Sequence, residues 1–277
     1  MAHPALTADR SVDPTFLHRF VPSVQARALD AAAPGCRYRA LFGAGDSEAR
    51  IVRGIARYGE ITVDPGGACA DAVYASEEQV YVILEGSGAL TYGGTGAPVR
   101  KNDFMYLPPG ISHRVTNPSS EPLRLIVMGF RIPPGTTTTA PAKLQIASID
   151  DVPLETVGGH PPTTLYRLLM GDTTSTRDRI AAGHVLTSLF IMEFAPGGTN
   201  FPHHHETEEE IYLLLDGHGD MVAGSGMNGV EGRRPAKPGD AYYFRLNCTV
   251  GFYNSPEPGA KARILAVRSR FPFPKRP

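Results

Sequence analysis

The chain has 277 residues, 42% of them hydrophobic, and a formal net charge of -1. That apolar content can core one large domain or two small ones. The near-neutral balance excludes the electrostatic footprint of a nucleic-acid or anionic-membrane binder. The start, "MAHPALTADRSVDPTF", lacks the basic-then-apolar layout of a signal peptide, and no apolar run approaches the roughly 20 residues of a membrane helix. Cys36, Cys69 and Cys248 are too few and too scattered for a disulfide framework or a four-thiolate zinc site. A cytoplasmic protein is the expectation.

Along the chain, Pro14 to Phe20 reads as a short helix within an N-terminal arm (residues 1–50) that packs across the second half. Runs rich in Val, Ile, Tyr and Phe follow: "GEITV", "QVYVIL" and "LRLIVMGF". Short apolar runs with Gly or Pro punctuation every ten residues or so predict an all-β sandwich or barrel. "PPGTTTTAPAK" (Pro133 to Lys143) has no apolar period and reads as a linker. A second short helix is expected from Ile149 to Leu154. Strand-like runs then resume with "SLFIMEF", "EIYLLL" and "RILAV".

The two halves repeat each other. "ITVDPGG" matches "MEFAPGG", "EQVYVILEGSG" matches "EEIYLLLDGHG", and "KNDFMYLPPG" matches "PGDAYYFRLN" after a short insertion in the Gly-rich "GSGMNGVEG" loop. A repeat this long is a duplicated domain rather than a solenoid. The division it predicts is an arm (1–50), a first barrel (51–132), a linker (133–160) and a second barrel (161–277).

The most informative stretch is "APGGTNFPHHHETEEEIYLLLDGHG", Ala195 to Gly219. His203 and His205 are two apart, so on a strand both imidazoles face one way. Glu210 follows a short turn and can bring its carboxylate to the same point. Two imidazoles and one carboxylate suit a divalent Fe, Mn or Zn ion. His204 should face the opposite way. Glu206, Glu208 and Glu209 read as solvated, with Glu209 the fallback ligand if the turn is tighter.

The spacing Gly197, His203, His205, Glu210, Gly217 resembles the first signature of the cupin superfamily. Asn102, Pro108, Gly110, His113 and Asn117 resemble its second signature, with Asn in place of Gly. The resemblance runs from Ile51 to Pro274 and implies a bicupin, two antiparallel β-barrels (double-stranded β-helix or jelly roll) in tandem. It also implies a fourth, histidine ligand. In the second half Val250 stands there, and Arg245 replaces the signature proline. In the first half Ala72, Tyr74 and Gln79 stand at the other three ligand places and only His113 survives. The first barrel is therefore expected to be metal-free, with His113 a buried hydrogen-bonded or pocket residue.

The second barrel should hold one divalent metal ion (Fe, Mn, Zn or Ni) on His203, His205 and Glu210, with positions left open for small molecules. Cys248, two residues before Val250, either completes the shell or packs as a small buried hydrophobe. Tyr212, Leu214, Phe190, Met192 and Phe252 are candidate pocket walls. The candidate catalytic residues are Glu210, Tyr212 and Arg245, the last either clamping a substrate carboxylate or exposed. The resemblance implies a metal-dependent enzyme acting on a small polar metabolite, with dioxygenase-type chemistry foremost. The alternatives are a Lewis-acid isomerase or aminohydrolase, or a non-catalytic ligand-binding bicupin. Ureidoglycine aminohydrolases are bicupins of similar length, but their ligand spacing differs. A homodimer is expected, with no nucleic-acid or membrane partner.

Overall fold

A computed structural model describes residues 15–47, 49–224 and 231–272. The first half supplies β1 (Phe16–Phe20), β2 (Cys36–Gly43), β3 (Ile55–Val63), β4 (Glu77–Glu85), β5 (Ser87–Tyr92), β6 (Thr95–Arg100), β7 (Asp103–Leu107), β8 (His113–Thr116) and β9 (Leu123–Arg131). The second supplies β10 (Gln145–Ser148), β11 (Thr164–Asp172), β12 (Ile180–Gly183), β13 (Leu186–Phe194), β14 (Glu208–Asp216), β15 (Gly219–Gly224), β16 (Glu231–Ala236), β17 (Asp240–Phe244), β18 (Thr249–Asn254) and β19 (Ala262–Arg270). Each half builds one large sheet and one three-stranded sheet, the all-β architecture predicted. The large sheets run β10-β7-β4-β9-β3-β2 and β1-β17-β14-β19-β13-β11-β12; the small ones are β6-β5-β8 and β16-β15-β18. Every pairing between strands is antiparallel except β11 with β12.

Neither expected helix forms among the described residues. Phe16–Phe20 is an edge strand, register Phe16↔Phe244 to Phe20↔Asp240, because the neighbouring sheet offers it a row of backbone partners. The first residue of that expected helix, Pro14, lies outside the described residues. Ile149–Asp151 is a single 3₁₀ turn, started by the Ser148 hydroxyl accepting from the Asp150 N–H.

The halves exchange their first strands. β1 of the first half pairs with β17 of the second, and β10 of the second pairs with β7 of the first. The rest of the arm does not follow β1, since β2 pairs with β3 in the first-half sheet.

Both faces of the large sheets are buried, which is why their strands read as nearly unbroken apolar runs. In β14, Tyr212 and Leu214 point into the second barrel, while Ile211 and Leu213 point into a layer between the barrels. That middle layer is the largest core cluster and takes Val80, Val82, Phe104 and Tyr106 from the first half against Leu169, Leu189, Tyr243 and Leu265 from the second. Burial of each such side chain contributes about 1.5–3 kcal/mol, so the barrels are held by a shared core, not by the connecting segment. The two Gly/Asn exchanges between the repeats cost the backbone little. Asn102 (φ 71°) matches Gly239 (φ 92°), and Asn247 (φ 59°) matches Gly110 (φ 79°); Asn is the residue that best replaces Gly in left-handed conformation.

Candidate metal centre

The loop between β13 and β14 and the start of β14 bring His203, His205 and Glu210 together. Their ligand atoms all lie within 4.8 Å of one another. His203 is fixed by a backbone bridge to Val250 in β18, and Glu210 by its place in β14 between β17 and β19. The His203 and His205 rings stand edge to face, centroids 5.0 Å apart.

The imidazoles are oriented from behind. His203 Nδ1 donates to the Phe201 carbonyl at 2.8 Å, so its Nε2 carries the free lone pair. Phe201 is held at φ 52°, a conformation rare for an aromatic residue, and that twist aims its carbonyl at the ring. His205 Nδ1 lies 3.6 Å from the Glu208 carboxylate, the arrangement by which proteins fix a ligating histidine. Glu208 is thus half-buried behind the site rather than solvated, and also meets Arg268 Nη1 at 3.3 Å.

Two observations fit a cation at this point. His205 Nε2 and Glu210 Oε2 approach to 3.3 Å, yet both are buried and neither makes a hydrogen bond. Orphaned buried polar atoms are costly unless something else satisfies them. The electrostatics agree. Burial holds the His203 pKa down, so the ring stays neutral and able to coordinate. Burial would also lower His205, but the Glu210 carboxylate beside it outweighs burial and raises its pKa. For Glu210, burial acts upward and is overcome by His205 and Arg268, leaving its pKa low. His205 and Glu210 thus attract each other across 3.3 Å without closing a hydrogen bond.

These atoms form one wall of a cavity of ≈ 80 Å³. Tyr166, Leu168, Phe190, Met192 and Tyr212 make the rest largely apolar; Asn200, Arg268, Arg177 and His160 supply its other polar groups. Tyr212 accepts a hydrogen bond at its hydroxyl from Asn200 Nδ2 at 3.0 Å, and burial raises its pKa. Leu214, Val250 and Phe252 lie in the barrel core rather than on the cavity wall.

Other expected site residues stand elsewhere. Arg245 follows β17, donates its backbone N–H to the Thr15 carbonyl at 3.1 Å, and does not line the cavity. Arg177 and Arg268 do, and of these Arg268 on β19 stands opposite Glu210 in register, its Nε 4.0 Å from that carboxylate. Cys248 is buried in the barrel core and does not line the cavity, its thiol donating to the Gly224 carbonyl at 3.4 Å, and burial raises its pKa. His204 is exposed and reaches only Glu206, at 4.0 Å. Glu209 is not solvated but 1% exposed, turned into the layer between the barrels.

In the first barrel a protein side chain takes the space. Arg57 on β3 pairs in register with Gly129 on β9, whereas in the second barrel Ser188 pairs with Arg268. The arginine has changed strands between the repeats. Arg57 makes ion pairs with Asp30 and Glu77 and lies 4.1 Å over the Tyr74 ring, at the place matching His205. A Cβ on Gly129 would meet Arg57 Cγ at 2.8 Å, so the glycine makes room for the guanidinium. His113 is buried, bonded to the Tyr81 hydroxyl at 2.8 Å and the Ile111 carbonyl at 3.0 Å, and burial lowers its pKa.

The cupin-domain family model matches residues 59–129 and 190–267, more than half of the chain and one match in each repeat. The chain belongs to the cupin family. Among solved structures it is similar to protein Ylba of E. coli (14% identity, TM-score 0.71, 98% of this chain and 97% of that one). It is also similar to the Lactobacillus farciminis oxalate decarboxylase in its formate complex (12% identity, TM-score 0.65, 92% and 88%). At such identities the likeness is one of fold. An uncharacterized protein of Methanocaldococcus jannaschii is 38% identical over 57 residues, 21% of this chain and 45% of that protein. This cupin thus matches under half the length of that relative. Among the described residues no helix is long and apolar enough to cross a membrane.

Proposed function

We propose that the second barrel binds one divalent metal ion through His203 Nε2, His205 Nε2 and Glu210, and that this cupin is a metal-dependent enzyme for a small polar metabolite. The observation that carries this reading is the convergence of three ligand atoms, two of them buried without a hydrogen bond, on the wall of a small, largely apolar cavity. A bound ion would supply Lewis acidity or, if iron or manganese, electron exchange with dioxygen. The protein's part is to orient both imidazoles from behind, hold His203 neutral by burial, keep Glu210 ionised, and exclude bulk water with Phe190, Met192 and Tyr166.

The enclosed space at this wall is small, ≈ 80 Å³, and it opens on one side. It is roughly half the ~150 Å³ that encloses a benzene, which favours a small enol, diketone or oxyacid over a catechol. Arg268 gives the wall a fixed cation beside Glu210, suited to an anionic oxygen of the substrate. A homodimer and a cytoplasmic setting belong to the same proposal.

The test is reconstitution with Fe, Mn, Zn and Ni in turn, followed by small enols, diketones and oxyacids with an oxygen electrode and NMR of products. Oxygen uptake matching product supports the dioxygenase reading. Turnover without oxygen uptake replaces it with Lewis-acid isomerisation or hydrolysis. Metal binding with no turnover of any such compound leaves a ligand-binding protein.

A further inference from the structure

The position matching the family's fourth ligand is Val250, yet the second barrel carries a third imidazole at the same cavity. His160 comes from the loop between β10 and β11, a segment that reads as linker in the sequence. Its ring lies edge-on to His203, centroids 5.4 Å apart, nearly the spacing between His203 and His205. Two imidazoles on one ion at about 2.1 Å and near-tetrahedral angles have centroids about 5 Å apart, so both spacings suit a shared ion.

The two rings are also held alike. His160 Nδ1 donates to the Asn200 carbonyl at 2.9 Å, and His203 Nδ1 donates to the Phe201 carbonyl, the next one along the chain. Successive carbonyls thus fix the tautomer of both rings, and both present an unprotonated Nε2. His160 follows Gly158 and Gly159; Gly159 has φ 86°, and a Cβ on either glycine would meet nothing within 4 Å. The backbone just before the ring is therefore bordered by open space.

The first repeat shows what this loop does. Glu155 bridges Tyr166 as Arg27 bridges Tyr38, so the loop carrying His160 matches the one carrying Asp30. Asp30, at φ 61°, turns its carboxylate onto Arg57 and the Tyr74 hydroxyl. Tyr74 matches His205. In the first barrel the loop delivers a charged group to the internal cation.

We infer that His160 is the fourth protein ligand of the metal centre, delivered by the loop before β11 in place of the missing histidine at Val250. The inference rests on the metal site proposed above. In the structure the atoms mutually within 4.8 Å are those of His203, His205 and Glu210, so His160 joins them by advancing on its glycines when the ion binds.

The experiment is pulsed EPR on the full-length protein loaded with Cu(II), counting coordinated imidazoles from the couplings of their remote nitrogens, with Zn(II) affinity by competition against a chelator. Three imidazoles in the unmodified protein, two in His160→Ala, and a loss of about tenfold or more in affinity are expected. Two imidazoles in the unmodified protein, or an unchanged count and affinity in His160→Ala, overturns the assignment and leaves the three-residue site standing. Failure of the unmodified protein to bind either metal overturns both. The count on the unmodified protein decides the matter even if the variant does not fold.

Discussion

Glu78 and Glu209 hold matching places in the two repeats, and each reaches across to the other barrel. Glu209 accepts from the backbone N–H groups of Arg53, Gly54 and Ile55 at 2.7, 2.7 and 3.0 Å and from the Tyr243 hydroxyl at 2.5 Å. Glu78 accepts from those of His184, Val185 and Leu186 at 2.8, 2.9 and 2.7 Å and from the Tyr106 hydroxyl at 3.0 Å. Each carboxylate satisfies a run of donors that opens a strand in the other repeat. With the exchanged first strands, this makes the two barrels one cooperative unit.

Replacing Glu209 with Ala leaves three N–H groups without their acceptor, two of them buried and each of those costing about 1–3 kcal/mol. The variant should lose about 3 kcal/mol or more in urea denaturation, and Glu78→Ala a similar amount, because the partners match in kind and distance. A loss below about 0.5 kcal/mol for either would show that water replaces the clamp.

The first barrel should remain metal-free. His113→Ala should keep the metal content of the unmodified protein while losing about 1–3 kcal/mol of stability, since it leaves the Tyr81 hydroxyl unpaired in the core. Metal content that falls with His113→Ala would place an ion in the wrong barrel.

Metal affinity should rise with pH in a defined way. The His205 pKa is raised, chiefly because the Glu210 carboxylate outweighs the effect of burial. Below that raised pKa a proton occupies the ring and the ion must expel it, so affinity should climb about tenfold per pH unit and flatten above it. The metal-free protein shows the opposite sign: a raised histidine pKa stabilises the fold at low pH, and that contribution is lost as pH rises through it. His203 and His113, whose pKa values burial lowers, contribute to the melts with the other sign, so the check is the Zn(II) titration: an affinity that does not change with pH below the His205 pKa would exclude the ion pair.

Arg268, not Arg245, should govern anion binding at the cavity. Arg268→Ala should weaken binding of oxalate, as a probe, to the metal-loaded protein about ten- to hundredfold, the worth of a hydrogen bond to a charged group of about 1.5–3 kcal/mol. Arg245→Ala should leave oxalate binding unchanged. The reverse ranking in calorimetry would return the role to Arg245.

The signals that were local in the chain could be read from it. His203, His205 and Glu210 owe their meeting to the alternation of a strand and one short turn, and the internal repeat shows in the matched Gly and apolar positions. What depended on partners distant in sequence was not legible. Phe16–Phe20 takes its conformation from β17, more than two hundred residues on. Glu209 looked solvated among its acidic neighbours because its donors lie at Arg53–Ile55. Arg268 stands out in the sequence as a charge at the end of the apolar run "RILAVRSR", and its counterpart Gly129 as the opposite anomaly. His160 sits in a Gly- and Pro-rich segment with no apolar period, and only the fold brings it to His203.

The central claim is that one divalent metal sits on His203, His205 and Glu210. Its most direct test is metal content per chain for the unmodified protein, His204→Ala and His205→Ala, purified without chelators and supplied with Fe, Mn, Zn and Ni in turn. The account predicts one ion per chain in the unmodified protein and in His204→Ala, and none in His205→Ala. A full equivalent retained by His205→Ala and lost by His204→Ala, or no metal in the unmodified protein, would contradict it.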